Sequence, residues 1–187
     1  MIRHSVRTSL LAALAAAVVA GTLSSAAAAA AADKDKPTTL GAFKSWTAYA
    51  AGTGDSKTCY TLAQPQASLP KHAKRDPIFF LVSDWPARKT KGETEVVPGY
   101  KYKDGSKVTV EIGSDKFAFF TKNDGQGGDG TAWIEDLSSE GRMVDAMRRG
   151  SQMIVTGTSA RGTLTRDTYS LGGISQALDA IHKACGM

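Results

Sequence analysis

Hydrophobic and polar positions along this chain follow two patterns. Leu10 to Ala20 is one continuous apolar run, whereas from Phe43 onward short apolar stretches are separated by polar and glycine-containing clusters. The clearest rhythm lies over 106–112, where Val108, Val110 and Ile112 share one face and Lys107, Thr109 and Glu111 share the other. A period of two marks a half-buried strand. Asp104-Gly105 turns the chain before it and residues 113–115 turn it after, so 116–121 (KFAFFT) is predicted as its hairpin partner. Residues 77–85 (PIFFLVSDW) are the most apolar stretch of this region, and their length and Ile, Phe and Val content predict a buried strand. Further strands are predicted over 43–50, 57–62, 93–97, 131–134, 151–159 and 162–170.

Two segments carry helical spacing instead. Over 138–149, Leu137, Met143, Val144 and Met147 recur at helical intervals, with Arg148, Arg149 and Gly150 suited to the carboxyl end. Over 173–184, Ile174, Ala177, Leu178, Ile181 and Cys185 form one stripe at steps of three and four. Residues 64–76 hold two prolines and the basic set Lys71, His72, Lys74 and Arg75, and read as a loop. About eight strands separated by regular turn signals predict a mainly β fold, an antiparallel β-sandwich or partly open barrel with two peripheral α-helices.

The amino-terminal pattern changes the picture of where this domain works. Arg3, His4 and Arg7 precede the apolar run, and Ser24, Ser25 and the alanines of 26–32 follow it. That order describes a secretory signal peptide over 1–32. Cleavage is expected after Ala32, with Ala28 and Ala30 offering overlapping frames. The run falls short of the roughly 20 residues that span a bilayer, and no second such segment follows, so the mature chain carries no transmembrane segment. A flexible leader is expected over 33–42 and a single β-rich domain over 43–187. Loss of Arg3 and Arg7 takes the formal charge from +5 to +3, too weakly basic and without the long stripe that nucleic-acid binding would require. Cys59 and Cys185 remain in an exported chain, where an oxidising compartment and a single possible pairing predict a disulfide between them.

Candidate chemistry is sparse. The hydrolase elbow, zinc-protease, phosphate-loop and dinucleotide signatures are all absent from the sequence. Ser68-Leu-Pro-Lys71 matches S-x-x-K, but Pro70 and its loop-like surroundings argue against the helix start that this motif needs. The segment 123–130 is rich in Asn, Asp and Gly, yet its spacing fits no calcium loop and it reads as a surface turn. No metal site and no cofactor are called for. A binding face is expected around Arg161, Asp167, Tyr169 and Trp133, a polar and aromatic mixture beside glycine turns. An uncharacterised hydrolase or chaperone-like enzyme is the alternative, and it requires His72 or His182 to meet a carboxylate and a hydroxyl. A structural envelope protein without any ligand would instead show no concave site.

The stretches 75–112 (RDPIFFLVSDWPARKTKGETEVVPGYKYKDGSKVTVEI), KFAFFT, TAW, VDAMRRGSQMIVTGTSARGT and DTYSLGGISQALDAIHKAC resemble the invasion-associated locus B family, small exported proteins of alphaproteobacteria. The resemblance runs from about Trp46 to Cys185, and G-T-S-x-R-G-T and D-T-Y-S-L are its most specific parts. It implies a periplasmic or envelope location in a Gram-negative bacterium, a β-sandwich-like domain and an association with host-cell invasion in pathogenic members. It supplies no catalytic residues. The resulting expectation is a non-enzymatic envelope protein that binds a protein partner or envelope component.

Overall fold

The computed structural model describes residues 36–124 and 130–187; the expected signal peptide and the glycine-rich 125–129 lie outside them. Among the described residues there are eleven strands: β1 (Thr38–Phe43), β2 (Trp46–Ala51), β3 (Thr58–Ala63), β4 (Ala67–Leu69), β5 (Phe79–Trp85), β6 (Thr90–Val97), β7 (Lys107–Ile112), β8 (Asp115–Lys122), β9 (Thr131–Ile134), β10 (Gln152–Thr158) and β11 (Leu164–Ser170). Two α-helices accompany them among the described residues, α1 (Glu140–Arg149) and α2 (Ile174–Cys185). The strands form one open sheet in the order β1-β2-β3-β5-β6-β9-β8-β7-β10-β11-β4, antiparallel throughout. The mainly β antiparallel class and the two helices are as expected.

Alternation decides which side faces in. Phe80 and Val82, Val108 and Val110, Phe117 and Phe119, and Met153 and Val155 all point to a common interior. Burying each such side chain stabilises the fold by about 1.5–3 kcal/mol. Trp46, Phe119 and Tyr169 reach Phe80 from three other strands, with ring centroids 6.3, 6.4 and 5.9 Å away. Such contact between strands distant in sheet order requires the sheet to curl. The curl is tied where β2 begins: the Trp46 indole N–H donates to the Ser170 carbonyl at 3.0 Å, and the Ser45 N–H donates to the Gly172 carbonyl at 3.3 Å. Gly173 then starts α2 with φ +96, and a Cβ there would sit 1.9 Å from the Phe43 carbonyl oxygen, so only glycine fits.

The predicted stripe of α2 is buried as a unit, Ile174, Ala177, Leu178, Ile181 and Cys185, and it packs over β1, β2, β3 and β5. The Cys59–Cys185 disulfide is formed and joins the helix end to β3. One turn earlier, His182 Nδ1 donates to Asp84 Oδ2 at 2.6 Å. Asp84 sits where the β5–β6 register shifts between Ser83 and Trp85, and its Oδ1 takes the Gly92 N–H at 2.9 Å.

Three expectations are corrected. The leader expected over 33–42 already contains strand from Thr38, because an edge strand needs only backbone partners and its largely exposed TTLGAF pairs with β2. The strand expected over 43–50 is split: Lys44, in the left-handed region at φ 53, turns the chain between β1 and β2. The loop expected over 64–76 contains β4, three residues that pair with Arg166, Asp167 and Thr168. Within that same segment Arg75 is no surface cation. Its guanidinium grips both Asp167 oxygens at 2.7 Å, with the two side chains only 6 and 3 % exposed, and its Nε donates to the Pro98 carbonyl.

Removing one member of that pair strands a buried charge. Asp167→Ala or Arg75→Ala is expected to lower the unfolding free energy by about 3–5 kcal/mol in denaturant titrations, while the paired change Arg75→Met with Asp167→Leu recovers most of it. Opening the disulfide releases a separation of 126 residues. Cys59→Ser with Cys185→Ser should therefore lose up to about 4–5 kcal/mol in the same assay.

Candidate functional site

The four residues expected to share a face are not brought together. Asp167 and Tyr169 occupy inward positions of β11 and are buried, Asp167 beneath Arg75 and Tyr169 against Phe80. The Tyr169 hydroxyl has no partner among the described residues, and burial first, then the Asp167 charge, pushes its pKa far up. Arg161 stands exposed at the turn between β10 and β11. Trp133 points outward from β9. The G-T-S and D-T-Y motifs therefore serve the interior: a Cβ on Gly157 would meet the Tyr100 hydroxyl at 2.9 Å, and that hydroxyl bonds to Thr165 Oγ1 at 2.7 Å.

Among the described residues neither His72 nor His182 is hydrogen-bonded to a serine or threonine hydroxyl. His72 is exposed in the turn after β4. His182 borders a cavity of about 310 Å³ with Lys91, Asp145 and Arg148, but no serine, threonine or cysteine lines it. Its Asp84 partner resembles the orienting half of a triad, and no hydroxyl or thiol among the described residues lines the cavity beside it. Ser68 lies on the edge strand β4 and Lys71 in the turn beyond it, so S-x-x-K is not on a helix. Among the described residues no three metal-ligating side chains converge.

A different site appears on the outer face. Across β6, β9 and β8 the partners Glu95, Trp133 and Phe120 form one row, since paired residues of antiparallel strands share a face. Phe120 and Trp133 lie 5.8 Å apart, centre to centre. Trp85, Glu93, Leu137 and Glu140 complete a groove of about 380 Å³, within the size range of ligand sites. Leu137 is 74 % exposed, an apolar rim without cover among the described residues.

Two cations of the chain rest on the aromatic walls. The Arg88 guanidinium lies 4.2 Å from the Trp85 ring centre. Lys122 Nζ is 6.0 and 5.8 Å from the Phe120 and Trp133 rings. The Trp85 indole N–H donates to Glu93 Oε1 at 3.0 Å, and Arg88 reaches the same oxygen at 3.3 Å. Glu140 opens α1, where its charge suits the helix dipole, and it accepts the Thr94 N–H at 2.9 Å beyond the last β6–β9 pair. Glu95 has no hydrogen-bond donor or cation bound among the described residues. Burial, and then the Glu93 charge, raises its pKa above 4.5; burial also raises that of Glu140, against the Thr94 hydrogen bond and with help from Glu93.

Of the groove residues, only Trp133 is among those expected from the sequence to bind. One signal was available: in KFAFFT, Phe117 and Phe119 share the inward phase, so Phe120 had to face out among Lys116, Ala118 and Lys122. Glu93 and Glu95 likewise share a phase on β6.

With this geometry in place the chain can be set beside known proteins. The family model described as Invasion associated locus B (IalB) protein matches residues 46–182. The chain belongs to the invasion-associated locus B family. Among solved structures, the invasion associated protein B of Bartonella henselae is similar to this IalB-family chain, with a TM-score of 0.57 and 15 % identity over 80 % of this chain and 99 % of that one. At that identity the likeness concerns the fold. No curated protein matches the chain. No helix among the described residues is long and apolar enough to cross a membrane.

Glu95 offers a direct check on the groove. Because its folded-state pKa lies above the unfolded value of 4.5, its stabilising contribution is complete below 4.5 and is lost as pH rises through the raised value. Glu95→Gln should therefore melt higher than the parent at neutral pH, and the difference should vanish on acidification. Thermal melts across that range read it directly.

Proposed function

We propose that this chain is a non-enzymatic protein of the periplasm or cell envelope, and that it binds a protein partner or envelope component through the groove of Glu95, Trp133 and Phe120. One observation carries this reading: an aromatic and carboxylate-lined concavity on the outer face of a sheet whose interior is already filled. Aromatic walls offer contact area at low entropic cost, and carboxylates fix orientation. An export route agrees with the disulfide, which an oxidising compartment permits. Among the described residues no hydroxyl or thiol lines the cavity beside His182, which weighs against hydrolysis, and the Asp84–His182 contact instead pins α2 to β5.

Crosslinking in intact cells tests the proposal. The parent protein should yield a reproducible adduct that Trp133→Ala abolishes and Arg161→Ala leaves in place, with both variants melting close to the parent. An adduct lost with Arg161→Ala and kept with Trp133→Ala would move the contact to the β10–β11 turn.

A further inference from the structure

The groove is already occupied at its aromatic faces, and the occupants have one chemistry. Arg88 lies over Trp85 and Lys122 over Phe120 and Trp133. Both side chains come from exposed positions, so each can swing into water at small cost. What would remain is a set of three carboxylates, Glu93, Glu95 and Glu140, against three aromatic rings. Counting the resident cations, the charged lining sums to 2 − 3 = −1; without them it is −3. A carboxylate such as Glu95, half-buried and without a cation of its own among the described residues, would be better served by an apolar or amide side chain if stability alone mattered.

Spacing narrows the guest further. Glu93 and Glu95 alternate on β6, so they repeat at about 6.7 Å along the strand. Cationic side chains at alternate positions of an extended peptide repeat at the same interval. Resting on the binding reading above, we propose that the groove receives lysine or arginine side chains from an extended basic segment of a partner protein, displacing Arg88 and Lys122 from the aromatic walls. A sugar would also stack on these rings, but it would gain nothing from their carboxylates' net charge and would not compete with resident cations in this way.

The test uses the mature, oxidised protein and three synthetic peptides: lysines alternating with serine, the same residues with the lysines adjacent, and glutamates alternating with serine. Tryptophan fluorescence reads occupancy. The alternating basic peptide should bind, more tightly than its adjacent-lysine isomer, and added salt should weaken it. Glu95→Gln and Trp133→Ala should each lower affinity about tenfold. Lys122→Ala should raise it, whereas Lys116→Ala, an equal change of charge at a site paired with Glu111, should not. Binding of the acidic peptide equal to the basic one, or basic binding indifferent to both Glu95→Gln and Trp133→Ala, overturns the inference. If the basic peptides fail to bind while the Trp133-dependent adduct persists in cells, the groove keeps its role and the cationic guest is excluded.

Discussion

The buried Arg75–Asp167 pair constrains this fold because neither charge can be left alone inside it. It joins the segment after β4 to the middle of β11, and the same guanidinium caps the Pro98 carbonyl beyond β6. Two charges withdrawn from water are tolerable only when each is fully engaged, and here both carboxylate oxygens and three guanidinium nitrogens have partners. Tyr100 stacks on the guanidinium at 4.9 Å and bonds Thr165, which extends the network to the next inward position of β11. At the opposite flank Asp84 obeys the same rule, its two oxygens taken by Gly92 and His182. The interior thus contains charge, and that charge is spent on joining strands and a helix that are distant in sequence.

The outer groove breaks this rule. Glu95 is half-buried beside Glu93 and has no bound donor among the described residues, and the two cations nearby prefer aromatic faces and Glu93. Unpaired polar groups that stability would remove are a common mark of a site kept for recognition. The satisfied internal charges mark architecture, and Glu95, the groove carboxylate without a bound donor among the described residues, marks the candidate site more sharply than motif strength does.

The architecture was largely legible in the sequence because alternation is a local property. Residues 106–112 and 116–121 reveal their strands and hairpin, and the stripe of α2 reveals both the helix and the cysteine that it carries to β3. The candidate site was much less legible. G-T-S-x-R-G-T and D-T-Y-S-L are the most distinctive segments, and their polar residues look available for binding. Phase alone places Thr165, Asp167 and Tyr169 on one face, but identifying that face as the interior requires the partner, Arg75, which lies 92 residues away in a segment that reads as a basic loop. β1 and β4 were missed for a related reason: edge strands are held by backbone pairing, and neither needs an alternating apolar face. The groove, assembled from β6, β8, β9 and the turn before α1, had no motif at all, only Phe120 and Trp133 out of phase with their neighbours.

The proposed function requires contact at the groove and not at the conspicuous β10–β11 turn. Photocrosslinking from single positions in intact cells addresses it most directly, with the photoreactive side chain placed at Leu137 on the groove rim or at Arg161 on the turn. The account predicts a discrete adduct from Leu137 and none from Arg161. An adduct from Arg161 alone would contradict it and return the interaction to the turn.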